Sequence, residues 1–452
     1  MSRWSARARA VAAAGVVAVL LSGCTQQVPG LGSYAGKPRA ADAEVDVNGS
    51  TGQGVDLVAA NAISDIQEYW TAQMPKVFGE KYEPVKAFYS IDPDGSRAAP
   101  CTDAASDIRG NAFYCPSRDI IAWDRKGLFP ELQQKFDPFL VTMVLAHEWG
   151  HAIQKRTKLP SSRTIVVETQ ADCYAGAFTA YALKGGAPHQ DINRQTLDKA
   201  LSGYLLFRDP VGADQDDRQA HGSGFDRISG FQDGFDEGPK FCTTFSDSRT
   251  FTQVGFTNST DLRNKGNLPF SLTIEQGPKD VDKFWTSSFQ EDFGRAWRPL
   301  RGGAKAYTPA SRPQCSGTPV TAVAYCGSDD TVYYDTEALR SAYDKTEGDF
   351  GPISLVAVAY GYAVRERRGR SIDPDSESAY IGAICLAGGY AKDSFQTRED
   401  RRLQLSPGDL DEAIRALLDL AGARDFTRTI QTKGFDRVQA FRVGFDDVKS
   451  CP

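Results

Sequence analysis

The sequence predicts an α+β fold in which packed helices lie beside a small β-sheet, and it predicts that this arrangement occurs twice. Three observations carry the expectation. Leu140, Val141, Val144 and Leu145 recur at helical spacing, so 137–157 reads as a largely buried helix. The short run "DIIAW" at 119–123 reads as a strand beside it. Finally, segments far apart in the chain repeat at nearly one offset, 210 to 215 positions. Cys115 and Cys326, and Asp124 and Asp335, are both 211 positions apart, as are "GHAI" (150–153) and "GYAV" (361–364). "IQEYWT" (66–71) matches "VDKFWT" (281–286), and "DCYAGAF" (172–178) matches "ICLAGGY" (384–390). "GFDRISGFQDGFD" (224–236) matches "GFDRVQAFRVGFD" (434–446). Convergent composition would not hold register over so many segments. Two similar units are therefore expected, at 56–243 and 276–452, joined by a connection at 244–275.

The elements before the first unit read as an export signal. Arg3, Arg7 and Arg9 precede the apolar stretch 10–21, which is too short to span a bilayer comfortably. "LSGC" follows, ending at Cys24, and resembles the lipobox of bacterial lipoproteins. It implies a signal peptide at 1–23 and a lipid on Cys24 that anchors the chain to the outer face of the cell membrane without spanning it. The competing reading is a plain secretory signal, which also exports the chain. Residues 24–55, rich in Gly, Pro, Ala and polar residues, read as a flexible tether. Nothing later in the sequence is apolar for long enough to cross a membrane. The net charge of −6 gives no basic footprint for nucleic acid.

Nine cysteines less Cys24 leave eight, an even number suited to an oxidising compartment. Each unit carries four, in matching order, so each is expected to close two bridges of its own. Cys101–Cys115 and Cys315–Cys326 are close in sequence and hairpin-like. That leaves Cys173–Cys242 and Cys385–Cys451.

The helix at 137–157 carries "AHEWGHA". His147 and His151 stand four apart and so share a helix face, where both can reach one zinc ion, with Glu148 beside them to act on water. A second helix, "VVETQADCYAGAFTAYAL" at 166–183, has small residues that allow close approach. Its Glu168 can supply the third ligand, and its Asp172 can accept the other ring N–H of a ligand histidine. The competing readings are a helix-surface acid for Glu168 and a capping or salt-bridge acid for Asp172. The second unit works as an internal control. Opposite His147, Glu148, His151, Glu168 and Asp172 stand Val358, Ala359, Tyr362, Tyr380 and Ile384, all neutral. Opposite His221 stands Gln431, which favours a place for His221 in the site, as a donor to a developing oxyanion. His189, in "GAPHQD", lacks such support and reads as surface.

Taken together, "YCP…D" (114–124), "AHEWGHAIQ" (146–154), "ETQADCYAG" (168–176) and "HGSGFDR" (221–227) resemble the bacterial neutral zinc metallopeptidase family, in gluzincin-like order. The resemblance covers most of 100–242 and reaches the second unit only as a scaffold. It implies one Zn²⁺ per chain, held by His147, His151 and Glu168, with Glu148 as general base and His221 near a peptide or protein substrate. Many members carry a histidine directly after HExxH, where this chain has Ala152. The expected activity is that of a zinc metalloendopeptidase, the substrate bound by β-addition to an edge strand. The alternative is a non-catalytic lipoprotein that binds a peptide or protein on the same scaffold. Tyr360, Tyr362 and Tyr380 near the lost site fit either that use or plain core packing.

Overall fold

The computed structural model describes residues 40–157, 161–217, 220–256, 258–396, 403–420 and 432–452. The signal peptide, Cys24 and Gln431 lie outside the described residues. The first half runs α1 (Val55–Phe78), β1 (Ala87–Ile91), β2 (Ala112–Cys115), β3 (Ile120–Asp124), α2 (Leu128–Lys135), α3 (Pro138–Thr157), α4 (Thr164–Leu183), α5 (Arg194–Tyr204), α6 (Gly224–Glu237) and α7 (Pro239–Cys242). The short α8 (Ser259–Arg263) leads to α9 (Phe270–Phe293), followed by β4 (Gly303–Tyr307), β5 (Gln314–Cys315), β6 (Thr318–Pro319), β7 (Val323–Cys326) and β8 (Thr331–Asp335). Then come α10 (Thr336–Thr346), α11 (Phe350–Arg367), α12 (Glu377–Phe395), α13 (Asp409–Arg415) and α14 (Gly434–Asp446). Helices dominate and the sheets are small, so the fold is α+β.

The first sheet has strand order β1-β3-β2, with β1 parallel and β2 antiparallel to β3. The second has order β4-β8-β7, with β4 parallel and β7 antiparallel to β8. The strand expected at 119–123 is thus the middle of its sheet, and the edge on the site's side is β2. Asp124 ends β3 and gathers the backbone N–H groups of Gly110, Lys126 and Gly127 at 2.8 Å each. Asp335 ends β8 and caps α10 through the N–H groups of Glu337 and Ala338.

Most residues of α3 and α4 are buried, polar ones included, as in helices packed on nearly all sides. α4 meets α6 backbone to backbone. A Cβ on Gly176 would fall 1.9 Å from the Phe231 carbonyl oxygen, and one on Gly234 would fall 1.7 Å from that of Cys173. Cys173 and Cys242 then bridge α4 to α7. α12 and α14 meet in the same manner: Gly388 lies against the Phe441 carbonyl and Gly444 against that of Cys385, with Cys385 bridged to Cys451. Cys101–Cys115 and Cys315–Cys326 staple the ends of β2 and β7.

The halves pack together by exchanging helix caps. Asp411 of α13 accepts from Phe225 N at the start of α6, at 2.9 Å. Asp198 of α5 accepts from Gly434 N and Phe435 N at the start of α14, at 2.7 and 2.8 Å. Arg208–Asp411 and Arg194–Asp436 ion pairs flank these caps.

Three sequence readings are corrected by packing. Residues 40–54 of the expected tether are docked: Val47 is buried, Asn48 bridges Tyr89 of β1, and Asn61 of α1 bonds Ala43 N. Within 244–275, Thr252 N and Gln253 N bond Asp226 of α6, Phe245 and Phe251 are buried, and α9 begins at Phe270. His189 is not a free surface group, because its Nδ1 lies 2.7 Å from the buried Asp65.

Alanine is a better helix former than glycine by about 1 kcal/mol, yet Gly234→Ala is expected to cost more than ~3 kcal/mol, since the displaced atoms are backbone. Gly255→Ala, which meets nothing closer than 3.8 Å, serves as the control and is expected to leave the thermal midpoint unchanged. Thermal unfolding of the two variants checks the contrast.

Candidate metal centre and active site

A Cβ on Gly150 of α3 would lie 2.7 Å from Ala171 Cα of α4, so the two helices are nearly in contact at the level of the motif. That closeness brings the histidines of α3 onto the acid of α4. His147 Nε2 lies 3.2 Å from Glu168 Oε2, and His151 Nε2 lies 3.5 Å from Glu168 Oε1. All three ligand atoms fall within 4.8 Å of one another. With metal–ligand distances near 2.1 Å, tetrahedral zinc separates its ligand atoms by ~3.4 Å, so the spacing fits.

The opposite ring nitrogens are already engaged. His147 Nδ1 lies 2.7 Å from Asp172 Oδ1, and His151 Nδ1 lies 2.9 Å from Gln154 Oε1. Gln154 is fixed in that orientation because its Nε2 donates to Val167 O and Gln170 Oε1. A carboxylate or amide oxygen only accepts, so both Nδ1 atoms carry protons. In the neutral imidazoles both Nε2 lone pairs then face Glu168 and are free to bind a metal.

Asp172 is fully buried and is the hub of the support. Arg227 of α6 grips it twice, Nε to Oδ2 at 2.9 Å and Nη2 to Oδ1 at 2.8 Å, and the Tyr204 hydroxyl donates to Oδ1. Burial by itself would raise the Asp172 carboxyl, but Arg227 and then His147 hold it down to about 2. Burial also works against ionised Glu168, which His151 and His147 nonetheless hold well below its usual range. Glu148 is shifted the other way, upward, with burial the main cause. Its Oε2 accepts from Tyr114 N of β2 at 2.8 Å. The buried set therefore holds three carboxylates, Glu148, Glu168 and Asp172, against one permanent cation, Arg227. A divalent cation restores neutrality, whereas uncompensated buried charge is costly. The donor set and the charge balance both fit zinc.

The centre opens on a cleft of about 750 Å³ whose lining includes Ala112, Phe113 and Tyr114 of β2 together with His221. His221 is exposed on the rim, where Asp209 accepts from its backbone N–H at 2.8 Å and faces its Nδ1 at 3.3 Å. The structure thus brings His147, Glu148, His151, Glu168 and Asp172 together and places His221 on the same cleft.

Sequence reasoning missed Arg227, Tyr204, Gln154 and Asp209. Arg227 was hidden by the repeat itself, because "GFDR" occurs in both halves. Among the described residues Arg437, at the matching sequence position, pairs with no acid and donates to the backbone carbonyls of Leu417, Leu418 and Thr432. In the second half Val358, Ala359, Tyr362 and Tyr380 line a cavity of about 650 Å³, while Tyr360 is packed in the core.

Replacing Asp172 by Asn is expected to weaken metal binding by ~10–100-fold. It also leaves Arg227 buried without its counter-charge, so the thermal midpoint should fall. Chelator competition and thermal unfolding measure the two effects.

A family model described as "Putative neutral zinc metallopeptidase" matches residues 9–245. Uncharacterized proteins of Mycobacterium bovis and of two strains of Mycobacterium tuberculosis are each 29% identical over 182 residues, covering 34% of this chain. The chain spans 60% of the length of these relatives. No solved structure matches the chain significantly.

Proposed function

The chain belongs to the neutral zinc metallopeptidase family, and from that premise we propose that it is an extracytoplasmic metalloendopeptidase with one zinc ion per chain. The observation that carries the proposal is the convergence of His147 Nε2, His151 Nε2 and the Glu168 carboxylate, with both Nδ1 atoms tied back and Glu148 alongside.

A zinc ion held by these three residues would polarise a peptide carbonyl and supply a nucleophile near neutral pH. Glu148 takes the proton of the attacking water and delivers it to the leaving amine. Its raised pKa suits that exchange. Tyr114 N holds one of its oxygens, which leaves the other to act. The free edge of β2 pairs with an extended substrate backbone. His221, with Asp209 against its Nδ1, donates to the carbonyl oxygen as charge develops there.

Four disulfides suit an oxidising compartment. Among the described residues no helix is long and apolar enough to cross a membrane. Attachment through a lipid on Cys24 belongs to the same proposal. So does the division into a catalytic unit at 56–243 and a degenerate copy at 276–452, which the matched sheets and glycine-mediated helix contacts support. The cavity at Val358, Ala359, Tyr362 and Tyr380 favours a binding role for that copy.

Glu148→Gln should keep its zinc, measured by elemental analysis, and lose ~10²–10⁴-fold of peptide turnover in a peptide-library cleavage assay. Cleavage retained at the wild-type rate would refute the assignment of the base. A wild-type chain that binds no zinc would favour the non-catalytic binding reading for the whole molecule.

A further inference from the structure

A second buried group of potential ligands lies in the other half, independent of the peptidase reading. Asp349, at the start of α11, and Asp409 and Glu412, in the first turn of α13, bring carboxylate oxygens within 4.8 Å of one another, and all three residues are buried. Asp349 occupies the N-cap position of α11 but makes no capping bond. Glu412 makes it instead, its Oε2 accepting from Phe350 N at 2.8 Å. Asp409 Oδ2 accepts from Ser406 N at 2.7 Å. Two further oxygens, Asp349 Oδ1 and Asp409 Oδ1, are buried with no hydrogen-bond partner. Asp349 is only 5% exposed and Asp409 only 4%. Among the described residues no ion pair reaches any of the three acids.

Three carboxylates without a counter-ion, two of them with an unsatisfied oxygen, are costly to bury. Both aspartates line a cavity of about 220 Å³, together with Asp261, Asn264, Asn267 and Ser406. Every side-chain donor there is an oxygen or an amide. No histidine or cysteine is present, which selects against zinc and for a hard cation. Several carboxylates with amide oxygens suit the larger coordination number of calcium. Magnesium keeps more of its water and seldom takes an all-protein cage. We propose that Asp349, Asp409 and Glu412 hold a calcium ion. Burial is the main cause that pushes all three carboxyls upward; the charge of Asp349 adds to it at Asp409 and Glu412, and that of Asp261 at Asp349, and a divalent cation would reverse the shift.

The position gives the ion a structural task. Asp411, between Asp409 and Glu412, points the other way and caps α6 through Phe225 N. α6 carries Arg227, which clamps Asp172. Calcium fastens the turn of α13 that anchors this helix.

The test is binding of radiolabelled calcium to the full chain with zinc in place, at neutral pH, paired with thermal unfolding. The expected result is one saturable calcium per chain with a Kd of ~10⁻⁵–10⁻³ M. The thermal midpoint should rise by ~2 °C or more at saturation, with zinc content unchanged. Asp409→Asn and Glu412→Gln should each weaken calcium binding at least ~10-fold and keep zinc; if one fails to fold, the other decides. Two results overturn the proposal: no saturable uptake by the wild type up to ~5 mM calcium, or uptake unchanged in the variants. If the acids instead share protons, Asp409→Asn will raise the midpoint in calcium-free buffer and calcium will have no effect on the wild type.

Discussion

The contact on which the molecule depends is the bare backbone meeting of α4 and α6. Gly176 and Gly234 let the helices approach until carbonyl oxygens lie where side chains would normally stand. At that distance the Arg227 guanidinium reaches Asp172 with two hydrogen bonds instead of one. Asp172 in turn fixes which nitrogen of His147 carries the proton. Helix spacing, set by glycine and locked by the Cys173–Cys242 bridge, thereby decides the protonation pattern of a candidate metal ligand several residues away.

The second half contains a helix contact of the same kind without the charges. Its α12–α14 contact keeps the glycines and the bridge. Ile384 stands where Asp172 would, so Arg437 turns to backbone carbonyls that need donors. A guanidinium can satisfy either environment, whereas an unpaired buried aspartate could not.

Much of the candidate site was legible because its pattern is local. The histidines lie one helical turn apart, Glu168 and Asp172 lie one turn apart on the next helix, and a four-residue spacing fixes a shared face. What was not legible depends on approach between distant segments. Nothing near Tyr204 or Asp209 in the sequence announces a partner, and Gln154 reads as an ordinary residue of a helix end. The strand at 119–123 was recognised by its apolar run, but its central position in the sheet is set by β1, some thirty residues earlier. The docking of 40–54 was hidden for a related reason. A Gly- and polar-rich stretch has no period of its own, and its order comes from a free sheet edge that accepts it.

The exchanged caps at Asp198 and Asp411 have a further consequence. Ser223 caps α6 from within its own half, but Phe225 N in that first turn is met by an acid from the other half, and the first turn of α14 depends on Asp198 alone for its side-chain acceptor. The covalent connection between them is then a convenience of synthesis rather than the bond that unites them. A chain severed near 264 would stay associated as two complementing fragments, and neither fragment alone would present a finished surface to water.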